Sequence, residues 1–208
     1  ENEFPKEIRS PGEIRLRASK LNRGQKVKNI SLNVRSGEIL ALTGLVGAGR
    51  TETVRLLFGA DQPDSGDIEL DGTKLILRKP SDAIEAGICL LTEDRKDQGL
   101  VLDQSVRDNF GLPNLKKFSN KGWIDASSEA HSFNSYIKKL QIKVSGHEQL
   151  ASQLSGGNQQ KVVLAKWLER NAEILIFDEP TRGIDVGAKF EIYQWMNQLA
   201  KAGKGIIM

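Results

Sequence analysis

The sequence predicts an α/β fold with a mainly parallel sheet at its core, an antiparallel β flap and a helical block. Three observations carry this reading. Residues 174–177, ILIF, are a wholly apolar run that stops at Asp178 and Glu179, and a strand apolar on both faces belongs inside a parallel sheet covered by helices. Residues 39–43 repeat the pattern just ahead of the glycine-rich loop GLVGAGRT at 44–51. LSGGNQQ at 154–160 opens a helix with a Ser-Gly-Gly turn, and the first turn of a helix presents unpaired N–H groups and the positive end of its dipole, a ready anion site.

Taken in order, residues 1–11, with two prolines and mixed charge, read as a linker from an upstream domain or as an expression scar, and residues 12–208 as the domain proper. Residues 13–34 and 67–77 alternate as strands do, with the turn LDGTKL between Leu70 and Leu75, and suit an antiparallel flap. Residues 51–58 read as a helix closed by Gly59 at its C′ position. Pro80 starts a helix over 80–86 that leads into an apolar strand at 88–91, where Cys89 is expected as a buried small hydrophobe with no disulfide partner. From 105 to 152 the pattern turns helical and more polar, with Phe133, Ile137 and Leu140 on one helix face. Phe110, Leu112, Leu115, Phe118 and Trp123 lie in the loop-rich first half of that block, where ordinary packing is the favoured role and partner docking the alternative. Val162, Ala165 and Leu168 recur at a helical interval and extend the Ser-Gly-Gly turn into a helix over 158–169. A last strand is expected at 205–208.

Composition fits a cytosolic globular domain and excludes some functions. At 208 residues the chain can bury a substantial core. Lys plus Arg number 30 against 27 Asp plus Glu, and the resulting +3 is too small a charge to argue for nucleic acid. No apolar run approaches the ~20 residues of a membrane span, and no signal peptide is legible. His131 and His147 have no Cys or His at metal-ligand spacing and are expected at the surface or in caps.

The chemistry lies at element boundaries. Ligands of open α/β sheets bind outside the carboxyl ends of the strands, where Asp178, Glu179 and the glycine-rich loop should all sit. The loop, Gly44, Leu45, Val46, Gly47, Ala48, Gly49, Arg50 and Thr51, has the spacing of the phosphate-binding pattern GxxxxGK[ST], with Arg50 in place of the lysine. Its glycines let backbone N–H groups wrap a phosphate, and Thr51 offers a hydroxyl to Mg²⁺. Singly, each motif has a plainer reading: a tight turn, solvated carboxylates, or a helix capped by Ser155. In this order they point together to a nucleotide's phosphates.

On these motifs the chain resembles the nucleotide-binding domain of an ABC ATPase. More narrowly, LVGAGRTE at 45–52, LTEDRKDQGLV at 91–101, LSGGNQQKV at 154–162 and DEPTRGIDVGAK at 178–189 resemble the second ATP-binding domain of tandem ATPases that drive bacterial importers of ribose and related sugars. The likeness runs from Gly12 onward. It implies a P-loop NTPase fold, with a RecA-like, mainly parallel core, an antiparallel β subdomain and a helical subdomain over 103–153. ATP and Mg²⁺ are the implied ligands. ATP would meet Gly44 to Thr51 and Glu52, and Thr51 and Asp178 would hold Mg²⁺. Glu179 would be the base or water-orienting group. Glu93, where most relatives carry glutamine, would help with Mg²⁺ or water. Leu154, Ser155, Gly156, Gly157, Asn158 and Gln159 would serve ATP bound mainly by another such domain, upstream on the same polypeptide, which Asp185 would touch.

The resemblance also implies transmembrane permease subunits, a sugar-binding protein acting indirectly, no nucleic acid, and a cytoplasmic, peripheral place on the inner face of the membrane. Arg50, the lack of an aromatic residue between Leu16 and Val34 to stack on adenine, and a chain end ahead of the family's switch position make weak binding and slow turnover the expectation. An energy-coupling ATPase is thus set against a regulatory module that completes a partner's site without hydrolysing ATP. A soluble ABC ATPase of DNA repair or translation is a more distant third.

Overall fold

A computed structural model describes residues 10–182 and 186–208. It divides into two compact units, the first running up to Leu90 with Ala172–Pro180 and Phe190–Met208, the second comprising Leu91–Asn171 and Thr181–Lys189. Along the chain come β1 (Ile14–Arg23), β2 (Val27–Arg35), β3 (Ile39–Leu40), α1 (Arg50–Leu57), β4 (Ser65–Leu70), β5 (Thr73–Lys74), α2 (Pro80–Ala86) and β6 (Ile88–Leu91). Then follow α3 (Val106–Gly111), α4 (Leu115–Phe118), β7 (Ser119–Asn120), β8 (Trp123–Ile124), α5 (Ala126–Leu140), α6 (Gly156–Glu169), β9 (Ile174–Phe177), α7 (Val186–Lys201) and β10 (Gly205–Ile207).

The first unit holds two sheets. The core sheet has the order β3-β10-β9-β6, and β10 lies parallel to both β3 and β9. Every residue of β6 and β9 is buried, Cys89 included, as the continuous apolar runs require. Parallel neighbours need a crossover, and α7 supplies it between β9 and β10, burying Ile192, Met196, Leu199 and Ala200 at helical spacing. The second sheet, β2-β1-β4-β5, is antiparallel throughout, and it is the expected flap. The reading of 13–34 as one stretch resolves into two strands joined by a turn. Pro80 occupies the first turn of α2, and Gly87 closes it in the left-handed region at φ 91°.

The strand expected over 39–43 is shorter, since only Ile39 and Leu40 are regular. Beyond them a hydrogen bond from Leu42 N to the Met208 carbonyl continues the pairing, and the chain then leaves the sheet. The strand expected over 205–208 likewise stops at Ile207.

The second unit is helical. Asp125 caps α5 by accepting from the amides of Ser127 and Ser128. Phe133 and Leu140 face inward, and the Phe110 ring packs against Phe133 at 5.0 Å, Tyr136 at 5.5 Å and Phe118 at 5.9 Å. Helix α6 is buried on nearly all sides, and contacts both α3 and α5. The expectation of ordinary packing for the apolar residues of the first half therefore divides. Phe110 and Phe118 are core, whereas Leu112 and Leu115 are exposed and Trp123, on the β7-β8 hairpin, is 82% exposed. A two-stranded hairpin has too little area to bury a ring of that size by itself. His131 is exposed, and His147 is half-buried with Nε2 2.9 Å from Asn134 Oδ1.

Candidate functional site

In the first unit the site begins where β3 ends. Residues 41–49 form a loop with one internal turn, Ala48 N donating to the Leu45 carbonyl, and Leu45 and Val46 stand out in solvent, Val46 99% exposed. Gly49 sets the loop's end. Its φ of 86° is left-handed, and a Cβ there would lie 2.3 Å from the Lys26 carbonyl oxygen, so only glycine fits. Gly49 is the N-cap of α1 and offers no side chain to the first amides of that helix, which leaves them available to an anion.

Two side chains at the start of α1 meet the carboxylates that end β9. Thr51 Oγ1 donates to Asp178 Oδ1 at 3.4 Å, and the Arg50 guanidinium donates to Glu179 Oε1 at 3.2 Å. Burial pushes the Asp178 carboxyl above its usual range and the charge of Glu179 adds to this, while the Thr51 hydrogen bond and Arg50 oppose it. Glu179 adopts a left-handed φ of 46°, a conformation that costs free energy for a non-glycine residue and is found disproportionately at functional sites. The carboxylate of Glu52 is held by Lys26, whose hydrogen bond lowers the Glu52 pKa.

The donor set at Thr51 and Asp178 fits Mg²⁺. A hard cation takes hydroxyl and carboxylate oxygens, and a desolvated carboxylate beside a second one is stabilised by a bound cation as it is by a proton. Arg50 is a five-donor fork able to bind phosphate oxygens, and it already spends one donor on Glu179.

The second unit carries the other motifs. Ser155 caps α6, its Oγ accepting from Asn158 N at 3.5 Å and from Asn158 Nδ2 at 3.0 Å. Asn158 Oδ1 in turn accepts from Lys143 N at 2.8 Å. Ser155 is exposed while Leu154, Gly157 and Gln159 are buried, so an approaching ligand meets Ser155, Gly156 and Asn158 first. The helix starts at Gly156, two residues before the expected Asn158, because Ser155 takes the capping role and both glycines then join the first turn. Glu93 pairs with Arg182, and both line an open cavity of about 400 Å³ together with Asp94, Arg95 and Lys96.

Thus Arg50, Thr51, Asp178 and Glu179 come together in the first unit, while Glu93 and 154–159 lie in the second. Asp185 falls outside the described residues, as do residues 1–9 of the expected linker. Sequence reasoning missed Lys26, Arg95 and Arg182. Each acts through a partner at least 26 positions away, and no local pattern signals such a contact.

A glycine-rich loop entering a helix, with two carboxylates at the end of the facing strand, defines a phosphate-binding α/β cassette of the P-loop class. The chain belongs to the ABC transporter family, whose model matches residues 27–182. It is 53% identical over 205 residues to the ribose import ATP-binding protein RbsA of Bacillus licheniformis, covering 99% of this chain and 42% of that protein. The protein of the same name from Halalkalibacterium halodurans is 49% identical over 207 residues, covering 100% and 42%. The chain thus spans about two-fifths of the length of the curated relatives it matches. Among solved structures, a nucleotide-free ATP-binding cassette from an ABC transporter superposes with a TM-score of 0.80 at 18% identity, over 94% of this chain and 80% of that one. The dimeric structure of the bacterial ABC transporter cassette MJ0796 gives 0.76 at 21%, over 92% and 86%. These likenesses establish the P-loop fold with its antiparallel and helical additions.

Proposed function

We propose that this chain is the ATP-binding, energy-coupling domain of a bacterial importer for a ribose-type monosaccharide. The observation that carries the reading is the meeting of Thr51 with Asp178 and of Arg50 with Glu179 at one end of β9. Thr51 and Asp178 are assigned to Mg²⁺, and the amides of residues 44–51, with Glu52 next to them, to the phosphates of ATP. When bound, Mg²⁺ neutralises phosphate charge. Glu179 is assigned to orient the attacking water and accept its proton, and Glu93 to a water or to Mg²⁺. Residues 154–159 are assigned to ATP held mainly by a second ATP-binding domain, where Asp185 would make contact. Gln159 is buried and its N–H donates to the Ser155 carbonyl at 2.9 Å, so its assigned part is to hold the first turn of α6 in place.

The named role of the relatives supports the ribose-type cargo, and their greater length supports a second domain on the same polypeptide, which we place upstream. Permease subunits and a sugar-binding protein complete the proposed assembly at the inner face of the membrane. Among the described residues no helix is long and apolar enough to cross a membrane, so the crossing is assigned to those partners.

The Arg50–Glu179 ion pair favours a second reading, a module that binds ATP and completes its neighbour's site without hydrolysis. With its carboxylate held by the Arg50 guanidinium at 3.2 Å, Glu179 is less free to turn toward an attacking water. Steady-state hydrolysis by the longer protein with its permease separates the two. If this site hydrolyses ATP, Glu179→Gln lowers turnover by about 10²-fold or more; turnover unchanged by that substitution assigns the site to binding alone.

A further inference from the structure

The geometry points to Arg95 as a positioning residue that ties helix α6, which opens in LSGGNQQ, to the turn at Arg182. The inference rests on the proposed role of that helix in an ATP site shared between two domains. Residues Arg95–Gly99 form a single π-helical turn, capped by Asp94, which accepts from Lys96 N and Asp97 N at 3.1 Å each. Such turns are rare and concentrate at functional sites.

From this turn Arg95 reaches two elements at once. Its Nε donates to Gln159 Oε1 at 3.3 Å, and its Nη1 donates to the Arg182 carbonyl at 3.2 Å. Gln159 lies buried in the first turn of α6, and its Nε2 donates to the Ala151 carbonyl at 2.9 Å, so the acceptor offered to Arg95 is fixed in place. Arg182 is held in turn by Glu93, two residues before Arg95. At the far end of the same turn, the buried Lys166 of α6 donates to the Gly99 carbonyl.

The π-turn is therefore bonded to α6 at both of its ends and to the Arg182 turn at one. A displacement of Arg182 must be carried to the start of α6 or break a hydrogen bond. Arginine suits this post because a rigid planar fork serves two differently placed acceptors, which a lysine ammonium does not reproduce. The amides at Ser155 and Gly156 would then be presented to ATP in a position set by Arg95, and misplacement of a positioning group by ~1 Å can cost about a hundredfold in rate.

The test uses the longer protein assembled with its permease and compares Arg95→Met, Gln159→Met and the double variant by steady-state ATP hydrolysis. A positioning role lowers kcat about tenfold in each single variant, leaves KM within about twofold, and leaves the double variant no slower than the worse single, because both remove one link. Unchanged kcat in Arg95→Met overturns the inference, as do losses that multiply in the double variant. Arg95→Lys, which keeps charge and bulk, guards against misfolding: it should retain the circular dichroism of the parent and still lose kcat, and full activity in it is equally contradictory. An unsubstituted assembly whose hydrolysis is absent, or indifferent to Thr51→Ala, removes the ATPase reading itself and this inference with it.

Discussion

The two motif-bearing regions of this molecule are built in opposite ways. The glycine-rich loop is an exposed run with one internal turn, fixed at its end by Gly49 against Lys26 and held at the carboxylates by two polar contacts. Helix α6 is buried on nearly all sides, capped by Ser155 and tied through Gln159 and Lys166 to a neighbouring turn. The contrast fits the proposed roles: a loop that closes around a ligand keeps few contacts of its own, whereas a surface offered to a ligand held elsewhere profits from being rigid beforehand.

Substitutions can break this contrast, and the largest effect belongs to the packed side. Phe110→Ala removes a fully buried ring with three aromatic neighbours and should cost about 3–5 kcal/mol in urea unfolding. Gly111→Ala comes next. Its Cβ would fall 1.6 Å from Glu129 Oε1, and Glu129 is buried and paired with Arg107 at 3.3 Å, so the clash should cost about 2–4 kcal/mol. If either substitution proved neutral, the helical unit would be less rigid than described.

On the open side the effects are smaller and can change sign. Asp178 has its pKa raised in the fold, mainly by burial. A raised carboxyl means that the folded state holds its proton more tightly, so the ionised form weakens the fold, and increasingly so as pH rises from the ordinary carboxylate range through the folded value. Asp178→Asn should therefore raise the melting temperature of the nucleotide-free protein by about 2–4 °C at pH 7, the size of a ~1 kcal/mol gain, and by less at pH 4. It should also abolish Mg²⁺-dependent nucleotide binding. A lower melting temperature at pH 7 would mean that the Thr51 hydrogen bond outweighs burial. Val46→Ser, at a side chain in solvent, should change stability by less than about 0.5 kcal/mol.

Much of the frame was legible in the residues. Pro80 and Gly87 bracket α2, and the short apolar runs at 88–91 and 174–177 read as buried strands. The cap at Ser155 followed from its position before two glycines. What stayed hidden depends on distant partners. Nothing near Arg50 in the chain announces Glu179, and the pairing of Arg95 with Gln159 spans 64 positions. The shortness of β3 has a similar cause. Residues 41–43 are apolar enough for a strand, yet the backbone must leave the sheet there to reach the turn that Gly49 fixes. Trp123 looked like core because tryptophan usually is; its place on a two-residue-per-strand hairpin left nothing to cover it.

The central claim is that Arg50, Thr51, Asp178 and Glu179 form a genuine Mg-ATP site weakened by its own Arg50–Glu179 pair. Calorimetric titration of Mg-ATP into this protein, with Arg50→Lys and Thr51→Ala beside it, tests that most directly. If these four side chains form the site, binding is lost in Thr51→Ala and tightened about three- to tenfold in Arg50→Lys, a gain of ~0.7–1.4 kcal/mol. Binding undiminished in Thr51→Ala, or weakened in Arg50→Lys, would contradict it.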